Sequence, residues 1–321
     1  MPHRDALIAL RQYLSTQILG QEKLVERLLI ALLADGHLLV EGAPGLAKTK
    51  AIKDLAAGLE ADFHRIQFTP DLLPADITGT EIYRPETASF EFQQGPIFHH
   101  LVLADEINRA PAKVQSALLE AMAERQVSIG RSTYALPALF LVMATQNPIE
   151  QEGTYPLPEA QLDRFLMHVK IGYPDASVER KILQQARGEA VSGETQPEPE
   201  QRVSQEAIFA ARKEILGLYM ADAVEEYLIQ LIMATRTPAR FDAELAEWIS
   251  WGASPRGSIA LDRCARAHAW LAGRDFVSPE DIQAVLFDVL RHRVILSFEA
   301  EAAGVDQDRV IQRILDLVAV A

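Results

Sequence analysis

A glycine-rich loop between an apolar run and a helical stretch constrains the fold of this chain more than any other segment. The apolar run covers residues 37–40, and the helical pattern covers residues 47–59. The loop consists of Gly42, Ala43, Pro44, Gly45, Leu46, Ala47, Lys48 and Thr49. It nearly matches the phosphate-binding pattern G-x-x-x-x-G-K-[ST], which requires a strand before it and a helix after it. Further apolar runs at residues 100–104 and 139–144 alternate with helical stretches, which indicates an α/β fold with a mostly parallel sheet.

The loop has the chemistry of an anion site. Successive backbone N–H groups and the start of the following helix form a concave surface for phosphate oxygens. We expect Lys48 to reach the β- and γ-phosphates of a nucleotide and Thr49 to bind Mg²⁺. Ala47 departs from the pattern, because glycine usually occupies this position and alanine tolerates a positive φ less well.

Two further apolar runs end in polar side chains that suit nucleotide hydrolysis. Residues 101–104 lead directly into Asp105 and Glu106. We expect Asp105 to bind Mg²⁺ through water and Glu106 to polarise the water molecule that attacks the γ-phosphate. Asn147 follows the run 139–144, where its amide is placed to orient that water. The alternative interpretation is a solvated strand end for the two carboxylates and an ordinary Asn-Pro turn for Asn147.

Together these motifs resemble those of the AAA+ ATPases, and their flanking residues resemble the MoxR branch of that class. The loop sequence GAPGLAKT, with alanine before the lysine, is similar to the MoxR form. The segments 66–79, 105–110 and 152–165 are also similar to that branch, and the resemblance spans about residues 18–297. It implies an α/β fold, with a P-loop AAA+ core around a central, mostly parallel sheet, followed by an all-α lid domain.

A change in composition indicates where the core ends. A stretch with two prolines, several glutamates and almost no apolar residues is typical of a solvated linker. We therefore expect the core at residues 1–187, the linker at 188–201 and the helical lid at 202–321. The resemblance also implies two hairpin inserts in the core, at about residues 80–95 and 126–136.

The resemblance implies two functional arginines. Arg164 matches the arginine finger of AAA+ proteins, which reaches the nucleotide of a neighbouring subunit. The simpler alternative for Arg164 is a pairing with Asp163 or Glu159. Arg256 matches the second sensor arginine of the lid, and whether it acts within its own subunit or across an interface stays open.

The same resemblance implies the cofactors and partners. ATP and Mg²⁺ would bind at the loop, with Ile18 and Gln21 in a segment similar to the one that packs near adenine. The family implies a ring, expected to be a hexamer, and a partner protein with a von Willebrand factor A domain. The expected output is chaperone-like remodelling or maturation of a client protein, or metal-cofactor insertion.

Composition separates the alternative functions. The chain carries 31 Lys and Arg residues against 45 Asp and Glu residues, for a net charge of −14. This charge repels a phosphate backbone, so it argues against a nucleic-acid motor. A metal-chelatase motor subunit shares the inserts and is the main alternative, and a nucleotide-gated scaffold with little turnover is another. The sole cysteine, Cys264, and the lack of a signal peptide or a membrane-spanning run indicate a cytoplasmic protein.

Overall fold

The computed structural model describes residues 2–148, 153–192, 199 and 201–320. The strands of the amino-terminal core are β1 (Leu38–Glu41), β2 (Phe63–Gln67), β3 (Gly79–Arg84), β4 (Ser89–Gln94), β5 (Leu101–Asp105), β6 (Gln126–Ile129), β7 (Ser132–Ala135), β8 (Leu141–Gln146) and β9 (Met167–Lys170). The helices of the core are α1 (Pro2–Gln17), α2 (Glu22–Leu33), α3 (Lys48–Ala57), α4 (Pro74–Thr78), α5 (Ala112–Glu124), α6 (Glu159–Leu162) and α7 (Ala176–Ser192).

Five strands form one parallel sheet in the order β2-β5-β8-β1-β9. Alternate residues of β1 belong to two hydrophobic clusters, with Leu38 and Val40 in one and Leu39 in the other, so both faces of the sheet are covered. The inner strands β1, β5 and β8 are those that the sequence predicts, and the α/β fold is confirmed. The sequence does not predict the edge strands β2 and β9, because polar residues interrupt their apolar pattern.

This topology brings the predicted polar residues to one edge of the sheet. In a parallel sheet the carboxyl ends of all strands meet at the same edge. The glycine-rich loop follows β1, Asp105 ends β5, and Asn147 follows β8, which lies between them. We call this side the nucleotide edge, and the side where the same strands begin the opposite edge.

Two antiparallel hairpins form where the sequence predicts them. The β3–β4 hairpin turns between Pro85 and Ala88, and the β6–β7 hairpin turns at Gly130. The Phe92 ring stacks on the Tyr134 ring with their centroids 4.0 Å apart. The two hairpins therefore pack against each other as one unit.

The carboxyl-terminal part is a helical lid with short strands. Its helices are α8 (Gln205–Leu216), α9 (Asp222–Arg236), α10 (Ala243–Trp248), α11 (Pro255–Leu271), α12 (Pro279–Leu290), α13 (Phe298–Ala302) and α14 (Gln307–Leu317). Its strands pair as β10 (Tyr219–Met220) with β12 (Phe276–Val277) and as β11 (Ile249–Trp251) with β13 (Ile295–Leu296). Short 3₁₀ helices lie at Pro96–Phe98, Ile107–Arg109 and Pro238–Arg240. Within the described residues, no helix is long and apolar enough to cross a membrane.

The linker expected at residues 188–201 needs a correction at its start. Helix α7 continues to Ser192, because the arginine, glutamate and alanine of this stretch are good helix formers despite their polar average. Residues 193–198 and 200 lie outside the described part of the chain. Beyond them, the Val203 backbone N–H donates to the Gly58 carbonyl oxygen at 2.9 Å, so the lid begins in contact with the core.

A buried ionic cluster joins the lid to the core. The Asp288 carboxylate on α12 accepts from Arg27 Nε at 2.8 Å and Lys23 Nζ at 2.9 Å, both on α2, and from Arg291 Nη1 at 2.9 Å. Arg291 also donates to the His168 carbonyl oxygen on β9 at 2.7 Å. Because loss of one partner would leave a buried charge uncompensated, this cluster holds the lid in one position on the core.

Candidate active site

The glycine-rich loop has the backbone geometry of an anion site. Gly45 has φ +83°, and Ala47 has φ +56° and ψ +19°, so both adopt the left-handed conformation. A methyl group at Gly42 would lie 2.5 Å from Ile171 Cγ1, which explains the glycine there. No side chain in the described part of the chain caps helix α3, which leaves its first N–H groups to the loop side. The observed φ of Ala47 shows that this alanine occupies a position suited to glycine.

Lys48 lies at the centre of a group of carboxylates. Its half-buried Nζ donates to the Gly42 carbonyl oxygen at 2.5 Å. Burial lowers the pKa of Lys48, whereas the nearby charges of Asp105, Glu106 and Glu41 oppose this shift. The lysine of the loop and the two predicted acidic residues therefore meet at the nucleotide edge.

Asp105 and Thr49 present the ligands that Mg²⁺ prefers. Asp105 is buried, and its Oδ1 accepts from the Thr145 hydroxyl at 2.6 Å. Its Oδ2 accepts from Arg65 Nη2 at 2.6 Å and Nε at 3.0 Å. Thr49 is in the first turn of α3, beside Lys48. A carboxylate, a hydroxyl and the phosphates of a nucleotide form a typical magnesium donor set, so these residues fit the ion.

Glu106 is held in a strained conformation by side chains from three strands or turns. Its φ is +56° and its ψ is +49°, a conformation that costs a residue with a side chain about 1–3 kcal/mol. Its backbone N–H donates to Thr145 Oγ1 at 2.9 Å. Its Oε2 accepts from Gln67 Nε2 at 2.8 Å and contacts Arg109 Nε at 3.2 Å. Strain of this kind is concentrated at functional sites, because the surroundings must fix the side chain in one direction.

Three residues of this site were missed by sequence reasoning. Arg65 and Gln67 lie on the edge strand β2, which the apolar pattern does not reveal. Thr145 precedes the predicted Asn147 by two positions and binds both neighbouring acidic residues. Thr145 can be identified only from its position on the strand directly beside β5. That position is known only once the order of the strands in the sheet is known.

Asn147 and the segment with Ile18 and Gln21 lie near the loop, and their contacts with a nucleotide stay predictions. Asn147 is 6% exposed and follows β8 at the nucleotide edge. Gln21 Nε2 donates to the Gly172 carbonyl oxygen at 3.1 Å, next in the chain to the Ile171 that faces the loop. Ile18 is 1% exposed and its side chain packs into the hydrophobic core.

Arg164 and Arg256 line a cavity of about 310 Å³ together. Five arginines and two aspartates contribute to this cavity, namely Arg125, Arg164, Arg256, Arg263, Arg293, Asp35 and Asp163. Arg164 Nη1 donates to the Leu119 carbonyl oxygen at 2.7 Å. Asp163, considered above as its partner, instead accepts from Ser254 and Arg293. We call this group of residues the arginine cavity.

The arginine cavity belongs to the opposite edge of the sheet. Asp35, Gly36 and His37, which precede β1, and Leu166, which precedes β9, form part of its lining. The glycine-rich loop follows β1 at the other end of that strand. A strand of four residues spans about 13 Å, so the cavity and the loop are separated by the full depth of the sheet.

His37, which lines the arginine cavity, is buried and hydrogen-bonded at both ring nitrogens. Its Nδ1 accepts from the Val142 backbone N–H at 3.0 Å, and its Nε2 faces the Met122 carbonyl oxygen at 3.3 Å. Burial, aided by the charge of Arg125, lowers the pKa of His37 to about 4. The imidazole is therefore neutral at pH 7, with its proton on Nε2.

Known proteins match both parts of the chain. Residues 37–167 match the ATPase family associated with various cellular activities (AAA), and residues 243–314 match the AAA lid domain. A protein of Cytophaga hutchinsonii with a known crystal structure superposes with a TM-score of 0.91 and 46% identity, over 100% of this chain and 96% of that one. A magnesium-chelatase subunit of Arabidopsis thaliana matches more weakly, with 28% identity over 75% of this chain and 53% of its own length.

Two relatives that match more than nine tenths of this chain carry the name that the motifs suggest. The chaperone MoxR1 of Mycobacterium tuberculosis is 47% identical over 94% of this chain and 79% of its own length. The protein MoxR of Methylorubrum extorquens is 33% identical over 96% of this chain and 93% of its own length. The helical lid agrees with the match to the AAA lid domain. The chain therefore belongs to the MoxR family of AAA+ ATPases.

Proposed function

We propose that this protein hydrolyses ATP with Mg²⁺ as a subunit of a ring, and that hydrolysis remodels a partner protein. One observation carries the proposal. The loop, Asp105, Glu106 and Asn147 share the nucleotide edge, whereas Arg164 and Arg256 share a cavity at the opposite edge. A complete hydrolytic site therefore needs two subunits, each of which supplies one edge.

The nucleotide edge would bind ATP and activate water. Backbone N–H groups of the loop and the Lys48 ammonium would bind the phosphates. Thr49 and Asp105 would hold Mg²⁺, which supplies positive charge to the β- and γ-phosphate oxygens. Glu106 would accept a proton from the attacking water while Asn147 orients it, and Gln67 keeps the Glu106 carboxylate in place.

The arginine cavity would complete the site of the next subunit. Arg164 offers a planar guanidinium with fixed donors, which suits the charge that develops on the transferred phosphoryl group. Arg256 lies in the same cavity, so we infer that it also acts across the interface and not on its own ATP. A contact between unlike edges repeats head to tail and closes into a ring, which we propose to be a hexamer.

We infer that the output is remodelling of a partner protein with a von Willebrand factor A domain. Support comes from the family, in which a relative is named a chaperone. The paired hairpins offer a contact face, because Tyr83 is 51% exposed and Phe90 is 69% exposed. Exposed aromatic side chains at the tip of a rigid unit are suited to protein contacts. A metal-chelatase motor subunit is the second candidate, supported by the weaker chelatase similarity.

Subunit mixing tests the two-edge site. Lys48→Ala removes the phosphate-binding ammonium, and Arg164→Ala removes the finger, so we expect each variant alone to lose hydrolysis by about 10³-fold or more. In a 1:1 mixture, about a quarter of the interfaces join an intact loop to an intact finger, and activity should return to roughly that fraction. Steady-state phosphate release measures it. If no mixing ratio restores activity, the assignment of Arg164 to the neighbouring subunit is wrong.

A further inference from the structure

We propose that Arg293 is a positioning residue that fixes Arg164 and Arg256 in one geometry. Arg293 lies between α12 and β13 of the lid, touches no nucleotide edge residue in the contacts described above, and is 6% exposed. The inference rests on the proposed function, because it assigns Arg293 to the two arginines that act on the next subunit. It adds a lid residue to which neither the family motifs nor the mechanism gives a role.

Arg293 binds residues 163–166, which carry Arg164 and which we call the finger segment, through every nitrogen of its guanidinium. Nη2 donates to the Phe165 carbonyl oxygen at 2.6 Å, and Nη1 donates to the Leu166 carbonyl oxygen at 3.1 Å. Nε donates to Asp163 Oδ1 at 2.8 Å. These partners lie immediately before and after Arg164, so the backbone that carries the finger is held on both sides.

The same side chain also fixes the start of α11, which carries Arg256. Asp163 Oδ2 accepts from the Ser254 hydroxyl at 2.8 Å, and Ser254 Oγ accepts from the Arg256 backbone N–H at 3.1 Å. The stem of Arg293 packs on Gly257, where a methyl group would lie 3.2 Å from Arg293 Cδ. Arg293 therefore contacts one arginine-bearing segment through hydrogen bonds and the other through its stem and Asp163.

The chemistry of this contact requires arginine. A guanidinium is planar and presents five N–H donors in a fixed fork, whereas a lysine ammonium is a point donor on a flexible stem. Lysine at position 293 can keep the charge pairing with Asp163 but cannot also reach the Phe165 and Leu166 carbonyl oxygens. A displacement of a catalytic group by about 1 Å lowers the rate by up to about a hundredfold. Imprecise positioning of Arg164 will therefore lower kcat.

The test compares Arg293→Lys with Arg27→Lys in the full-length protein. Arg27 is a matched control, because it is 5% exposed and also joins the lid to the core, through Asp288 and the Ala284 carbonyl oxygen, without contacting the finger segment. We expect both variants to lose thermal stability. Only Arg293→Lys should lower kcat, by about tenfold to a hundredfold. KM for ATP should stay within about twofold, because the altered group acts in the transition state on another subunit's nucleotide.

Mixing with Lys48→Ala subunits separates positioning from misfolding. Arg293→Lys subunits keep an intact loop, and Lys48→Ala subunits lend them an intact finger, so activity should recover in the mixture. Ser254→Ala removes the link from Asp163 to α11 together with the hydrogen bond that caps this helix, and it should give a smaller loss of kcat with the same recovery. This milder variant keeps the test informative if Arg293→Lys does not fold.

Two outcomes would overturn the inference. One is an unchanged kcat in both Arg293→Lys and Ser254→Ala, and the other is a loss of kcat that Lys48→Ala subunits do not restore. Arg164→Ala, measured in parallel, distinguishes this failure from a failure of the proposed function. If Arg164→Ala itself hydrolyses ATP at the normal rate, the finger assignment is wrong and Arg293 has no finger to position.

Discussion

Ala47 gives the most direct test of how the phosphate loop is built. It is the residue before Lys48 and has φ +56° and ψ +19°, so an L-amino acid adopts the left-handed conformation at the start of α3. The substitution Ala47→Gly removes the methyl group that causes this strain. We expect Ala47→Gly to stabilise the protein, which is unusual for a substitution in a functional loop.

The magnitude follows from two effects that favour glycine and one that opposes it. The left-handed conformation costs a residue with a Cβ about 1–2 kcal/mol, and glycine avoids this cost. Glycine also gives the unfolded chain more freedom, which removes about 0.4–1 kcal/mol of stability. At a helix N-cap, glycine is preferred over alanine, which adds to the gain. The net increase in the free energy of unfolding is about 0.5–1 kcal/mol, or roughly 1–4 °C in Tm.

The assay is thermal unfolding without nucleotide, since bound ATP would raise Tm by mass action. Ala43→Gly is the matched control, because Ala43 lies in the same loop, is buried and does not have a positive φ. We expect this control to lower the free energy of unfolding by about 0.4–1 kcal/mol. A decrease in Tm for Ala47→Gly equal to that of Ala43→Gly would refute the assignment of strain to Ala47.

Two further predictions concern Glu106 and His37. Glu106→Gln should keep ATP binding but slow hydrolysis by about 10²–10⁴-fold. Equilibrium nucleotide binding and phosphate release measure the two effects. Near-normal turnover would contradict the role of Glu106 as the base. His37 has a folded pKa of about 4 against about 6.5 unfolded, so the unfolded chain binds the proton first and stability falls as the pH drops through this window. At pH 5 the free energy of unfolding, measured with urea, should be lower by about 2 kcal/mol because of His37. His37→Gln should remove this part of the pH dependence.

The part of the site that the sequence predicts is the part built from contiguous residues. The loop, the Asp105–Glu106 pair and Asn147 each follow an apolar strand, so local pattern and strand topology suffice to place them. Glycine usually occupies the position of Ala47, so the sequence indicates that the backbone there adopts a positive φ. The observed φ of Ala47 is positive.

The residues that the sequence does not reveal act through contacts between distant segments. Gln67 binds Glu106 from an edge strand, FHRIQ, whose polar residues hide its strand character. Arg293 reaches the finger segment from the far end of α12, and no local pattern distinguishes it from Arg291. The helical start of the expected linker was missed for a related reason, since average polarity reports solvation and not backbone conformation.

The distribution of charge explains how a chain of net charge −14 forms the ring that we propose. Two copies with evenly acidic surfaces would repel each other. Here the carboxylates of the nucleotide edge lie beside Lys48, Arg65 and Arg109, so the phosphates of bound ATP would make this edge negative. The arginine cavity gathers five guanidinium groups against two carboxylates at the opposite edge. Unlike edges attract and like edges repel, so head-to-tail contact is favoured over a symmetric pair. In the proposed ring each subunit would bind ATP alone but would depend on its neighbour's arginines for hydrolysis, which would confine turnover to assembled interfaces.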